Sequence, residues 1–177
     1  EVYNFEDIKI DLIKKGYKFH SNTDTEVILN GYIEYKEKIV DKLNGMFAFS
    51  IYDKSTKELF LARDKSGIKP LYYFKNNDNF VYSSELKTLK EFSLNINFDS
   101  KILFLLLGYI PEPFTTYEDI SMFPAGHYGY YKENQLITKE YAKYKYEPKI
   151  IKPYNEIVSD VKELFDNAIK RHMISDA

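Results

Sequence analysis

The chain has 177 residues, 25 Lys and Arg against 27 Asp and Glu, a formal net charge of −2, and no cysteine. That length suits one domain, or one domain with the start of a second, and the charge balance offers no basic footprint for nucleic acid or an anionic membrane. The missing cysteine excludes disulfides, thiolate metal sites and a thiol nucleophile within these residues, and the longest apolar run, 102–107, is far below the ~20 residues that span a bilayer.

In chain order, Asn4 is expected to cap a helix whose Phe5, Ile8, Leu12 and Ile13 share one face, with Gly16 as its left-handed exit. Asp24 is a second N-cap candidate, followed by Glu26 in the first turn and by Ile28, Tyr32 and Tyr35 at helical spacing; a short helix over 39–43 follows. The period then becomes two. Residues 46–52 place Phe47, Phe49 and Ile51 on one face of a strand, 53–57 form a turn, and 59–63 form the partner strand. A second hairpin joins 71–75 to 80–83 across 76–79. Ser84 is expected to cap a short helix over 85–90, and Asp99 to cap the apolar helix 102–107, which Gly108 closes. Pro111 and Pro113 impose an extended stretch, and 128–131 with 136–141 flank a late hairpin turn. Residues 143–153 have the polar, proline-bounded composition of a linker. Beyond them Ile157, Val161, Leu164, Phe165, Ala168 and Ile169 trace an amphipathic helix that needs a partner surface.

Seventeen Tyr and 13 Phe could suggest stacking platforms for bases or sugars, but most fall at strand-alternating or helical-face positions, which favours a packed core. His20, His127 and His172 lie far apart with no acidic or histidine neighbours at ligand spacing, so no metal site is expected. Arg63-Asp64, ahead of Gly67 and Pro70, reads as a rigid turn with Arg63 available for a buried ion pair, a scaffold rather than a catalytic group. Ser84-Glu85 has no nearby base to activate a serine, so a helix start is the better account.

Five blocks, in order and spacing, resemble the N-terminal-nucleophile glutaminase domain of glutamine-dependent asparagine synthetases. They are Glu1-Val2-Tyr3-Asn4, the run from Ser21 to Glu26, the run from Leu43 to Phe49, the run from Ala62 to Tyr73, and Ser83-Ser84-Glu85-Leu86-Lys87. Phe123-Pro124-Ala125-Gly126-His127-Tyr128 is similar to a proline-glycine-histidine turn of that family, with Ala125 in place of a second proline. Arg171 to Asp176 resembles the helix end ahead of its ATP-binding loop. The resemblance implies an α+β fold, an incomplete αββα sandwich of two antiparallel sheets (the N-terminal-nucleophile hydrolase fold), plus the first helix of an α/β synthetase domain. It implies a partial glutaminase domain over 1–142, a linker over 143–153 and the start of the synthetase domain over 154–177. Both ends of the chain then read as internal to a longer protein.

The family's chemistry uses an N-terminal cysteine that attacks the glutamine amide, its own α-amine as base, and an asparagine-glycine oxyanion pair. By this resemblance those groups lie upstream, so no catalytic residue is expected in the chain and the chain by itself is expected to be inactive. Glu1 and Asp24 are the implied glutamine contacts, two carboxylates suited to an α-ammonium. For Asp24 the alternative reading is a helix cap, and for Glu1 a frayed terminus. The implied partners are glutamine here and aspartate in the absent domain, with ATP and magnesium also bound there; no cofactor is expected in this chain. The expected location is the cytoplasm, and self-association is expected from uncovered strand edges and apolar faces. Two other readings remain open: a related amidotransferase acting on a surface-sugar or antibiotic precursor, and a non-catalytic module that has lost its nucleophile.

Overall fold

The computed structural model describes residues 1–93, 95–146 and 149–173, so positions 147 and 148 of the expected linker and 174–177 of the expected synthetase segment lie outside the described residues. The chain divides into two compact units, one made of residues 1–45 with the chain from Lys143 onward, the other of residues 46–142.

In the first unit, α1 (Phe5–Lys14) and α2 (Asp24–Tyr35) pack together, burying Ile8 and Leu12 from one and Val27, Ile28, Gly31 and Tyr32 from the other. Ile13, assigned by periodicity to the buried face of α1, is 51% exposed. Gly16 has a φ of 95°, the left-handed exit its position predicts. The two helix ends are joined by Glu34, which accepts from Lys15 Nζ at 2.9 Å and from the Tyr17 hydroxyl at 3.1 Å. Those bonds, Lys15 first, hold the Glu34 carboxyl below its ordinary range. A 3-10 turn at Lys36–Lys38 leads into α3 (Ile39–Lys42), whose Ile39 side chain fills the space beside Gly31.

In this unit one expected cap moves by one residue. Thr23, not Asp24, is the N-cap of α2 and accepts from the Glu26 amide at 3.4 Å, while Asp24 occupies the first helical position. Asn4 holds the N-cap position of α1 as expected, but its side chain makes no cap bond, being engaged elsewhere.

The second unit holds two antiparallel sheets. β1 (Ala48–Asp53) and β2 (Glu58–Arg63) form the first expected hairpin, and β6 (His127–Lys132) with β7 (Gln135–Glu140) the last, giving a four-stranded sheet in the order β1-β2-β6-β7. The β6–β7 turn places Glu133 and Asn134 at φ 48° and 60°, the two left-handed residues of a tight hairpin loop. The second sheet has the order β4-β3-β5, with β3 (Tyr72–Lys75), β4 (Phe80–Ser83) and β5 (Ile120–Met122). β5 follows from no sequence pattern: three residues carry no measurable period, and the strand exists because Ile120, Ser121 and Met122 pair with Phe74, Tyr73 and Tyr72.

The sheets meet face to face over Leu59 and Leu61 from β2 with Leu71 and Phe123, against which Tyr73, Phe80, Tyr131 and Leu136 also pack. Phe80 and Tyr131 stack across this layer at 4.1 Å and 15°. On its other side the second sheet packs Phe74 and Ile120 against Leu89 of α4 (Leu86–Leu89). The opposite face of the first sheet carries Phe60, whose ring contacts Phe49, Tyr128 and Tyr130. This is an α+β fold of two stacked antiparallel sheets, the class expected.

Ser83, not Ser84, serves the start of α4: its hydroxyl oxygen accepts from the Glu85 amide at 3.0 Å and from Thr88 Oγ1 at 2.6 Å. Similarly, α5 (Phe98–Leu107) starts earlier than expected and is capped by Asn97, whose Oδ1 accepts from the Ser100 amide at 2.9 Å, rather than by Asp99. Gly108 closes it at φ 78°. Asn97 is the residue whose extended backbone leads into α5, whereas at α4 the extended N-cap position is Glu85, which makes no side-chain cap bond. Back in the first unit, α6 (Tyr154–His172) forms as its amphipathic pattern predicts, with no residue buried. No helix among the described residues is long and apolar enough to cross a membrane.

Candidate functional site

Glu1 and Asp24 are 23 positions apart in sequence, and the fold brings them together. Asp24 Oδ2 accepts a hydrogen bond from the Val2 amide at 3.1 Å and lies 3.9 Å from the Glu1 backbone nitrogen. Because Thr23 supplies the cap of α2, the Asp24 carboxylate is not consumed by its own helix. It reaches instead from the first turn, where the helix dipole favours a negative charge, to the Glu1–Val2 backbone. The Asp24 and Glu1 side chains are 33% and 40% exposed, open to a small solute.

The segment ahead of α2 is fixed by Glu26, which accepts from the His20 amide at 2.8 Å, the Ser21 amide at 2.7 Å and the Ser21 hydroxyl. The Ser21 hydroxyl, then these backbone amides, pull the Glu26 carboxyl below its ordinary range. Glu26 therefore stays ionised through neutral pH and keeps the 20–26 turn closed behind Asp24.

The other wall is the strand-like pairing of residues 1–4 with 42–45. Val2 forms an antiparallel bridge with Gly45, and the Tyr3 amide donates to Asn44 O at 2.8 Å. Asn4 completes the pairing, donating Nδ2 to Lys42 O at 2.9 Å and accepting from the Asn44 amide at 2.9 Å. These contacts are absent from the sequence reading. An Asn before a helix points first to a cap, and nothing local tells Gly45 that its neighbour is Glu1.

Arg63 and Asp64, 3% and 1% exposed, form a separate node inside the second unit. Arg63 donates to Lys69 O at 2.8 Å, Gly67 O at 2.7 Å, Glu112 Oε2 at 2.9 Å and Phe123 O. The Asp64 carboxylate accepts from the amides of Ser66, Ile68 and Lys69 at 3.0–3.1 Å and of Phe47 at 3.3 Å. Gly67, at φ 65°, presses on this guanidinium: a Cβ there would lie 2.9 Å from Arg63 Nη2 and 3.0 Å from Ala125 Cβ. Four bonds to protein groups fit the scaffold role expected of Arg63, and its ion pair is to Glu112, whose side chain is 37% exposed, so the pair is half-buried rather than buried as expected.

Chemically, the site offers the partly exposed Asp24 carboxylate set against the Glu1–Val2 backbone, and a carboxylate can hold an ammonium through charge-assisted hydrogen bonds. The chain contains no cysteine to act as a thiol nucleophile. Ser83 Oγ is bonded to Thr88 and the Glu85 amide. His127 Nδ1 lies 2.8 Å from Ala125 O, and among the described residues no group of three His, Cys, Asp or Glu could hold a metal ion.

Residues 1–142 match the family model of a glutamine amidotransferase domain. The chain is 34% identical over 179 residues to the glutamine-hydrolyzing asparagine synthetase 1 of Bacillus subtilis, an alignment covering 99% of this chain and 28% of that relative. It is 34% identical over 180 residues to asparagine synthetase 3 of the same organism, covering 99% and 29%. The chain thus spans less than a third of the length of these relatives. Among solved structures, the glutamine phosphoribosylpyrophosphate amidotransferase of Bacillus subtilis, complexed with ADP and GMP, superposes with a TM-score of 0.54 over 80% of this chain and 27% of that one, at 20% identity. The similarity there is of fold.

Proposed function

The chain belongs to the glutamine amidotransferase domain family, and on that premise we propose that Glu1 and Asp24 bind the α-amino end of glutamine in a longer, glutamine-hydrolysing asparagine synthetase. In this reading residues 1–142 are part of the glutaminase domain, 143–153 a linker, and α6 the first helix of the synthetase domain. The hydrolytic nucleophile is a cysteine outside these residues. Ammonia released there amidates aspartate in the synthetase domain, which binds ATP and magnesium, and the enzyme works in the cytoplasm.

One observation carries the reading: the Asp24 carboxylate, free of its helix cap, meets the Glu1–Val2 backbone and stays partly exposed. A structural cap would have turned into α2. A carboxylate already held against a braced backbone loses less freedom on meeting an ammonium, which favours binding by reducing the ordering cost.

The test is Asp24→Ala in the full-length protein. Losing a hydrogen bond to a charged group costs about 1.5–3 kcal/mol, so KM for glutamine is expected to rise roughly ten- to over a hundredfold. Synthesis of asparagine from added ammonia is expected to continue at its former rate. Equal losses with both nitrogen donors would make Asp24 a folding residue and overturn the reading. With aspartate omitted no amide product is expected; a product formed from another carboxylate would reassign the acceptor. The 177-residue chain alone, having no thiol, is expected to release no ammonia from glutamine.

A further inference from the structure

The Glu1–Val2 backbone is held from two sides, and only one of them is Asp24. On the other side lies Gly45, whose missing side chain is what allows the approach: a Cβ there would sit 2.1 Å from the Glu1 carbonyl oxygen and 2.8 Å from Val2 Cα. Neither obstacle is the far end of a flexible side chain, so an alanine would push the Glu1 backbone away from residue 45, by about 1 Å to restore ordinary contact. Asn4 acts from the same side, with both ends of its amide bonded to the 42–44 backbone. Removing that amide frees the residue that ends the 1–4 pairing, leaving the Val2 bridge and the Tyr3 amide bond to hold it.

Asp24 therefore has divided duties. Oδ2 is taken by the Val2 amide, and among the described residues Oδ1 has only the Thr25 hydroxyl, at 3.5 Å. If the 1–4 segment moves, Oδ2 loses its partner and the carboxylate is no longer locked in orientation.

We propose that Asn4 and Gly45 are positioning residues for glutamine: they press the Glu1–Val2 backbone onto Asp24 Oδ2, which fixes the orientation of the Asp24 carboxylate and leaves Oδ1 to the ligand. This deepens the glutamine-binding reading and rests on it. Preorganised contacts lower the cost of binding, and a displacement on the order of 1 Å at such a site is enough to matter. The effect belongs to substrate binding, because neither residue contacts the reacting amide in this scheme.

The experiment compares Asn4→Ala, Gly45→Ala and Asp24→Ala in the full-length protein, with glutamine and with ammonia as nitrogen donors. Hydrogen exchange of the peptide spanning residues 1–5 is followed in the same preparations. For Asn4→Ala and Gly45→Ala, KM for glutamine is expected to rise about tenfold, the loss of one or two hydrogen bonds, with kcat nearly unchanged. Exchange at 1–5 is expected to quicken, and ammonia-dependent synthesis to hold. Asn4→Ala carries the test alone if Gly45→Ala does not fold. Quickened exchange with an unchanged KM, while Asp24→Ala still raises KM, overturns the positioning role and leaves the glutamine reading standing. An unchanged KM in Asp24→Ala overturns both. Parallel loss of the ammonia-dependent reaction in Asn4→Ala makes the clamp a general folding element and also overturns the proposal.

Discussion

Arg63→Lys separates a scaffold arginine from a substrate-binding one, because the charge survives and only the fork is lost. The guanidinium makes four bonds, to the carbonyls of Lys69, Gly67 and Phe123 and to Glu112 Oε2. A lysine ammonium in the same space is a compact point that can keep Glu112 and one carbonyl. Two carbonyl bonds are then lost at about 1 kcal/mol each, and the space vacated by the planar group adds up to a further ~1 kcal/mol, so a destabilisation of ~2–3 kcal/mol is expected. For a chain of this size that lowers the thermal midpoint by roughly 5–10 °C. Circular dichroism melts of the 177-residue chain, wild type and variant, measure it directly. Arg63→Met should cost more, about 3–5 kcal/mol, because it removes the donor to all three carbonyls, of Lys69, Gly67 and Phe123. A loss below ~0.5 kcal/mol for Arg63→Lys would refute the scaffold argument. So would a full-length variant of normal stability that no longer uses glutamine.

The Glu26 carboxyl, depressed by the Ser21 hydroxyl and by the His20 and Ser21 amides, should hold the 20–26 turn closed at neutral pH. Its contribution is complete above the ordinary glutamate value of ~4.3 and is lost as the pH falls through the lower folded value. The His20 and Ser21 amide resonances should therefore shift only in acid, and Glu26→Gln should abolish that titration; a midpoint at or above ~4.3 would contradict the assignment. Phe123→Ala removes a 1% exposed ring from the layer between the sheets and should cost about 3–5 kcal/mol in urea unfolding, with a loss under ~1.5 kcal/mol speaking against that core. Leu105 and Leu106 of α5 are 83% and 76% exposed, so the isolated chain should self-associate at micromolar concentration. The double variant Leu105→Lys with Leu106→Lys should sediment as a smaller species; a wild-type monomer would end that expectation.

Local pattern was enough for the helices and hairpins. The change from period 3.6 to period 2 after residue 45 marks the passage from α3 to β1, and Asn134 with a polar neighbour marks the last turn, because these depend on side-chain spacing and on φ preferences of single residues. Caps were legible only to within one or two positions. Thr23 and Asp24 are both able to cap, as are Asn97 and Asp99, and the choice follows the angle at which the preceding chain arrives.

Side-chain periodicity is sufficient for the α+β class and the two hairpins of the first sheet, and motif resemblance for the choice of Glu1 and Asp24. The remaining features depend on the assembled fold. It inserted β2 between β1 and β6, recruited residues 120–122 as a strand and turned Asp24 away from its helix toward Val2. It also set Gly45 against Glu1 and led Arg63 to Phe123, 60 positions away. Each of these is a hydrogen bond or close approach between segments distant in the chain. Such contacts leave no local period, because their energy comes from pairing groups that only the assembled core brings within reach.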